Sequence, residues 1–332
     1  MNFRIVAVIT NLAQKDFETI LQDFELGKVR GFWPASNGIE NTNYYVNAEG
    51  PDGPRDYVLT LMEQTSSISP LLQPLVECCA NAGLPVALMI RNSNGSFTGH
   101  YNDKPVLIST RLRGRHVFNP TMAQCAAIGR FLARFHLASR MQIRNAEPHP
   151  RNAEWLLQQA NMVQGYIPHS ESTLIHDIAK TVFSMLNRGD VSNLPRGIIH
   201  GDLFRDNALF NERGLSGVLD FHQAAEGYWL FDLAVAVNDW CSDISGILDS
   251  DKTMTLVSAY QQIRPLTRHE LWFFPVFSLY AALTFWLSRL TVALRAEDAD
   301  CLPFKNPAEF QQIATQRASR FFYLDSRQFA NG

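Results

Sequence analysis

GIIHGDLFRDNALFNERGLSGVLDF, residues Gly197 to Phe221, is the stretch on which the reading of this chain turns. Its middle holds His200-Gly201-Asp202, then Asn207, and it ends on Asp220-Phe221. An H-G-D-x-x-x-x-N string would arise by chance in a chain of this size roughly once in a thousand at ordinary residue frequencies. Ala208 to Phe210 and Leu215 to Leu219 can pair antiparallel around the turn Asn211-Glu212-Arg213-Gly214. That pairing brings the chain entering at Asn207 beside the chain leaving at Asp220, because facing residues of such a ladder stand about 4.5–5.5 Å apart at Cα. An amide oxygen and a carboxylate then converge on one point, a pair that suits a hard, oxygen-seeking cation such as Mg²⁺. Asp202, on the loop before the hairpin, is placed to face a substrate rather than the metal.

This is a phosphoryl-transfer layout, in which a loop Asp orients the acceptor hydroxyl while an Asn and a second Asp hold Mg²⁺ on nucleotide phosphates. The metal neutralises phosphate charge, so the protein mostly positions groups and excludes water. Taken singly, Asp202, Asn207 and Asp220 are also ordinary turn and cap residues; it is the combined spacing that favours chemistry. His200 reads as a hydrogen-bonded scaffold piece beside the loop. Asp232 opens the helical run DLAVAVNDW, where it can act as a cap. Arg205, His222 and Gln223 are candidates to face a small acidic or zwitterionic substrate, or are simply solvated.

Outward from this segment the C-terminal half is helical. Cys125, Ile128, Leu132 and Phe135 line one face of a helix from Thr121. Further helices are expected at 153–162, 172–186, 232–241, 252–262, 270–296 and 307–321, with the hairpin of 208–221 as the single strand unit among them. The N-terminal half is strand-rich. Phe17, Ile20, Leu21 and Phe24 predict a helix after an Asn11…Gln14 cap, stopped at Gly27. Strands are expected at 29–33, 42–47, 57–63, 86–91 and 106–111, with turns at Ser36-Asn37-Gly38 and Gly50 to Pro54, and a helix at 69–81 ended by Gly83 and Pro85. The boundary between the halves falls near Leu112 to Pro120, giving units of 1–112 and 113–332.

The chain has 332 residues, 46% hydrophobic and 18% charged, enough to bury a large core and too apolar for disorder. Its net charge of −3 and pI near 6.3, with no long basic run, argue against electrostatic nucleic-acid binding. The five cysteines (Cys78, Cys79, Cys125, Cys241, Cys301) show no C-x-x-C spacing and read as reduced and mostly buried. The first residues lack the form of a signal peptide, which points to a cytoplasmic protein. Leu271 to Ser288 is nearly long enough to span a bilayer. Pro275, its hydroxyl side chains and Arg289 argue instead for a buried core helix with no membrane partner, opened by a Thr267…Glu270 capping box.

In this region the sequence resembles the aminoglycoside-phosphotransferase and choline-kinase-like superfamily. The combination IIHGDLFRDNALF, GVLDF, FDLAVAVNDWC and GIENTNYYV looks most like its bacterial homoserine kinases, from about Gly27 to the C-terminal helices. The resemblance implies an α+β, protein-kinase-like two-lobed fold, with a small antiparallel-sheet N-lobe bearing a helix and a larger, mainly helical C-lobe. It implies ATP and Mg²⁺ as cofactors and L-homoserine as acceptor, handled by a monomer or homodimer. By it Asp202 would be the base, Asn207 and Asp220 the metal ligands, His200 a structural member of the loop, and Asp232 its anchor.

For the nucleotide, the resemblance points to Thr42 and Asn43 of a Ser/Thr-Asn phosphate loop beginning at Gly38, and to the backbone of Ser109, Arg111 and Leu112 at the interlobe hinge. Kinases of this fold place a Lys on the next strand, where this chain has Thr60; no lysine lies between Lys28 and Lys104. Glu77 stands where the pairing helix Glu belongs, and Arg55 or Arg91 could supply the positive charge. Two other readings stay open: a kinase for another amino alcohol, choline or an aminoglycoside, and a nucleotide-binding pseudokinase. A polycationic aminoglycoside needs an acidic cleft, whereas homoserine needs a cation for its carboxylate. Joint retention of Asp202, Asn207 and Asp220 argues against the pseudokinase.

Overall fold

The computed structural model describes residues 9–35, 41–51, 53–63, 68–297 and 305–324. The turn at Ser36 to Gly38, the start of the phosphate-loop string and Cys301 lie outside them. The N-terminal lobe is a five-stranded antiparallel sheet of β1 (Lys28–Pro34), β2 (Thr42–Gly50), β3 (Gly53–Leu61), β4 (Thr98–Tyr101) and β5 (Lys104–Thr110), ordered β1-β2-β3-β5-β4. Alternation sets its two faces. Tyr44, Val46, Leu59, Leu61, Val106 and Ile108 form a core with Phe17, Ile20 and Leu21 of α1 (Gln14–Asp23). Asn43, Tyr45, Val58, Thr60 and Ser109 are only partly covered and face the other way.

Two expectations are corrected here. Helix α1 is capped two residues later than Asn11…Gln14 implied: Asp16 reaches back to accept from the Ala13 N–H at 2.8 Å. The segment 86–91 is not a regular strand. Val86 bridges Val218 in the C-terminal lobe while Met89 bridges Ser109, so the segment crosses between lobes and has too little ladder with either. The fifth strand is instead β4, joined to β5 by Asn102-Asp103, both with positive φ (46° and 65°). That is the backbone a two-residue hairpin turn demands, and Asn and Asp tolerate it.

Helix α2 (Leu72–Asn81) lies in the N-terminal half of the chain but packs Leu72, Leu75, Val76 and Cys79 into the main core of the C-terminal lobe. That lobe contains α3 (Met122–Ala138), α4 (Ala153–Val163), α5 (His169–Leu186), α6 (Trp229–Trp240), α7 (Ser250–Gln261), α8 (Arg268–Glu297) and α9 (Pro307–Ser319). Thr121 caps α3 with Gln124, as Thr267 and Glu270 cap α8. The lobe holds a second ribbon that the helical reading missed: β6 (Arg196–Ile199) pairs with β9 (Ala225–Tyr228), flanking the expected hairpin of β7 (Ala208–Asn211) and β8 (Gly214–Val218). Helix α8 is long and apolar enough to cross a membrane, but most of its apolar window is buried: Phe273, Phe274, Phe277 and Trp286 have no exposure.

Helices α3 and α7 pack so closely that a Cβ on Gly129 would stand 2.1 Å from the Leu256 carbonyl oxygen. The β7–β8 hairpin is tied to both crossings between the lobes. Phe210 and Arg115 exchange two backbone hydrogen bonds of 2.9 Å, and the Val218 N–H donates to Pro85 O at 2.8 Å.

Candidate active site

The segment from His200 to Asn207 links β6 to β7 and is held from beneath by α6. Asp232 accepts from the His200 N–H at 2.7 Å and the Gly201 N–H at 2.9 Å. Trp240 Nε1–H donates to Leu203 O at 3.0 Å, and Asp239 accepts from the Arg205 N–H at 2.7 Å. Gly201 has φ of +76°, a left-handed conformation that glycine adopts without a Cβ penalty. Asp232 is therefore an anchor for backbone donors of the loop; the residue capping α6 is Tyr228.

Behind Asp232 runs a buried polar chain. His136 Nε2 lies 3.0 Å from Asp232 Oδ2, and His136 Nδ1 lies 2.8 Å from the Tyr260 hydroxyl, which accepts from Arg264 at 3.2 Å. Arg264 in turn pairs with Glu270 at 2.6 Å. The donors assign a neutral His136 with its proton on Nε2. Burial lowers the imidazole pKa, and Asp232, although buried, is held below the ordinary carboxylate range by His136 and the loop donors. His136 and Asp239 were not singled out in the sequence. Their signal was a polar residue on an otherwise buried helix face.

On the cleft side, Asn207 Nδ2 donates to Asp202 O at 2.8 Å and to Asp202 Oδ2 at 3.0 Å. The amide oxygen of Asn207 consequently faces away from Asp202. The Leu219 N–H donates to Asn207 O at 2.9 Å, setting Asn207 beside the end of β8, where Asp220 takes a left-handed conformation (φ 60°, ψ 66°) that turns the chain sharply. Continuing the observed register, Ala208 opposite Val218, puts Asn207 opposite Leu219, so Asp220 follows one residue beyond the hairpin base. His200, fully buried, sits within hydrogen-bonding distance of Leu219 O through Nε2 (3.0 Å) and stacks near Phe221.

Burial pushes the Asp202 carboxyl up to about 7, opposed by the ammonium of Lys305 and reinforced by the negative charge of Asp220. A carboxylate titrating there can take a proton from a hydroxyl at neutral pH. Among the described residues no three His, Cys, Asp or Glu side chains form a complete metal cage. Two oxygens, from Asn207 and Asp220, fit an ion that completes its shell with phosphate and water, as Mg²⁺ does.

The remaining candidates divide. Asn43 and Thr60 are register partners on the cleft side of the sheet, with Thr60 Oγ1 donating to Asn43 Oδ1 at 2.7 Å. Ser109 shares that face, Arg111 stacks on Tyr45 at 4.0 Å, and Leu112 packs toward Gly217 of β8. Thr42 points the other way and is fully buried, its hydroxyl accepting from the Ile9 and Thr10 N–H groups and donating to Glu63. Glu77 pairs with Arg91 at 3.1 Å on the surface. Arg205 commits its guanidinium to Asp239 (3.2 Å), Glu309 (2.9 Å) and Phe118 O (2.9 Å). His222 is exposed on the turn after Asp220.

Residues 32–266 match the phosphotransferase enzyme family (APH). The chain is 34% identical over 320 residues to a homoserine kinase of Pseudomonas aeruginosa, covering 96% of this chain and 99% of that protein. It is 35% identical over 318 residues to a homoserine kinase of Cupriavidus pinatubonensis, covering 94% and 96%. Its fold is similar to that of amicoumacin kinase hAmiN, solved with AMP-PNP, Ca²⁺ and Ami (TM-score 0.66, 15% identity, 92% of this chain and 93% of that one). It is also similar to spectinomycin phosphotransferase APH(9)-Ia (TM-score 0.67, 11% identity, 92% and 94%). Matched over most of its length by the family and over nearly all of it by these kinases, the chain belongs to the phosphotransferase enzyme family and, within it, to the homoserine kinases.

Proposed function

We propose that the protein transfers the γ-phosphoryl group of ATP to the side-chain hydroxyl of L-homoserine, forming O-phospho-L-homoserine and ADP. The observation that carries this reading is the joining of Asp202 and Asn207 by hydrogen bonds on a loop fixed from α6, beside the turn that presents Asp220. In this reading Asp202 accepts the hydroxyl proton as the new O–P bond forms and the bond from Pγ to the β-phosphate bridging oxygen breaks, with no covalent enzyme intermediate. Asn207 Oδ1 and the Asp220 carboxylate hold Mg²⁺, which supplies charge neutralisation on the phosphates. His200 and Asp232 keep the loop in place.

The nucleotide occupies the cleft face of the sheet, with Asn43 and Thr60 toward its phosphates and the backbone of Ser109 to Leu112 toward its base. Arg111, stacked on Tyr45 of that face, is our candidate for the place of the absent strand lysine. The curated homoserine kinases, matched over nearly the full chain, support the acceptor; the ATP analogue and Ca²⁺ bound by hAmiN support the cofactors. A cytoplasmic setting follows from an enzyme that draws on ATP and a free amino acid.

The test is an ADP-release assay with Mg-ATP over L-homoserine, choline, hydroxylysine and an aminoglycoside. Turnover is expected with L-homoserine well above the others. Turnover with another acceptor and none with L-homoserine would refute the assignment.

A further inference from the structure

Gly201, the residue before Asp202, is bordered by two polar side chains from outside its own loop. A Cβ placed on Gly201 would stand 3.8 Å from His149 Nε2 and 3.8 Å from Gln223 Cβ. The imidazole nitrogen is therefore within about 5.5 Å of the Gly201 Cα and, one ~3.8 Å step along the chain, within about 9 Å of the Asp202 Cα.

The surroundings of His149 fix the ring without using its nitrogens. The His149 N–H donates to Glu226 O at 2.8 Å and the Glu226 N–H to Glu147 O at 2.8 Å, so this segment is tied to β9 on both sides of Pro148. The ring lies 5.0 Å from that of Phe231, a buried residue of α6 that packs on Tyr280 at 4.7 Å. Three residues on, Asn152 caps α4. His136 engages both ring nitrogens, with Tyr260 and Asp232, and His200 sets Nε2 on Leu219 O. His149, by contrast, is partly exposed and makes no ring hydrogen bond among the described residues. Gln223 is partly exposed too, and its side-chain amide has no hydrogen bond among the described residues.

A polar group that is held in place but unused within the fold is available to a ligand. Burial and the Arg151 charge keep the His149 ring neutral at neutral pH, so one of its nitrogens is an uncharged acceptor. The Gln223 amide oxygen offers a second acceptor. Of the two head groups of an amino acid, the ammonium is the one that needs acceptors. In L-homoserine four bonds separate the amine nitrogen from the hydroxyl oxygen, at most about 5 Å when extended. With a hydrogen bond of about 3 Å at each end, the molecule bridges groups up to roughly 11 Å apart. The separation of His149 Nε2 from Asp202 fits that span.

We propose that His149, with Gln223 beside it, binds the α-ammonium of the acceptor and so sets the preference for an amino alcohol. The proposal rests on the homoserine reading and adds residues that recognise the substrate.

The experiment measures the KM for L-homoserine and, as competitive inhibitors or alternative acceptors, the affinities of 4-hydroxybutanoate, which lacks the amine, and 3-aminopropan-1-ol, which lacks the carboxylate. His149→Phe keeps a ring on Phe231 and removes both nitrogens. It is expected to raise the KM for L-homoserine by at least ~10-fold, the effect of losing a hydrogen bond to a charged group, with a smaller change in kcat. Affinity for 3-aminopropan-1-ol should fall in parallel, while that for 4-hydroxybutanoate should hold. His149→Gln, which retains an acceptor, should recover part of the loss. Gln223→Leu, on a partly exposed turn, should shift the same preference in the same direction and carries the comparison if the Phe variant does not fold. Variants that keep the KM for L-homoserine, or that weaken 4-hydroxybutanoate as much as L-homoserine, would overturn the ammonium site alone. A wild-type protein that phosphorylates other alcohols but not L-homoserine would overturn the homoserine reading and this proposal with it.

Discussion

Asp232 and Asp239 stand seven residues apart on α6 and hold opposite ends of one loop: Asp232 takes the N–H groups of His200 and Gly201, and Asp239 takes that of Arg205. Seven residues are close to two helical turns, so both carboxylates leave the same face. The five residues Gly201 to Arg205 are thereby fixed on a rigid element, and Asp202 lies between the clamps. Neither carboxylate is exposed enough to share its charge with water, so each depends on its protein partners.

Removal of the first clamp should damage stability and turnover together. Asp232→Ala leaves the loop N–H groups and His136 Nε2–H without their acceptor, and a loss of about 3–5 kcal/mol in unfolding free energy is expected. Urea unfolding measures it. A loss below about 1 kcal/mol, the ordinary effect of an average substitution, would show that the loop is held by other contacts.

Asp202→Ala should lower kcat by at least ~100-fold, the lower end for a positioned general base. Its KM for ATP should change less than its kcat, because Asn207 keeps its bond to the Asp202 main-chain oxygen and the proposed role of the carboxylate is toward the acceptor. Near-normal turnover in a steady-state assay would remove Asp202 from the proton-accepting role.

Asp220→Ala removes the charged oxygen of the proposed metal pair. The Mg²⁺ concentration for half-maximal activity should rise by at least ~10-fold, since even changes to groups supporting a metal ligand cost that much. Titration of activity with Mg²⁺ at fixed ATP gives the answer, and an unshifted curve would contradict the metal assignment.

The buried imidazole of His149 should favour the fold at neutral pH and oppose it in acid. Burial lowers the pKa of His149 from 6.5 to about 4, with the Arg151 charge adding to the effect. Between those values the unfolded chain binds the proton and the native state does not, so stability is full above pH 6.5 and falls as the pH drops toward 4. The whole window corresponds to at most about 3 kcal/mol for this one group. His136 and His200, also shifted down by burial, act in the same direction. Asp202, raised to about 7, acts in the opposite sense over the same range, so the histidine contribution is read by comparison: the stability of His149→Gln should fall less between pH 7.5 and 5.0 than that of the parent protein. An identical pH dependence in the two proteins would contradict the neutral buried imidazole.

Gly129→Ala should destabilise the larger lobe by about 1–3 kcal/mol or more, the usual cost of overpacking. The added Cβ meets the backbone carbonyl of Leu256, which cannot rotate away as a side chain would. Thermal melting tests this, and an unchanged midpoint would mean that α3 and α7 separate at little cost.

Much of the site was legible because its parts are close in sequence. The H-G-D-x-x-x-x-N string, the hairpin after it and Asp220 at its end lie within 25 residues, and strand pairing sets Asn207 opposite Leu219, next to Asp220 in the chain. Helical periodicity likewise marked α3, and a capping box before a long apolar run marked the buried α8. The sequence did not disclose which candidates share a face of the cleft. Thr42 and Asn43 are neighbours in the chain, yet one β-residue step sends Thr42 to Glu63 and leaves Asn43 with Thr60. Arg205 looked available to a substrate until folding brought it to Asp239 and Glu309, 34 and 104 residues away. The sequence by itself pointed to the reaction, because the candidate catalytic groups belong to one contiguous loop and hairpin whose geometry is local. Only the tertiary structure decided what holds that loop and which candidates share a face of the sheet, because contacts between distant segments leave no period or spacing to read.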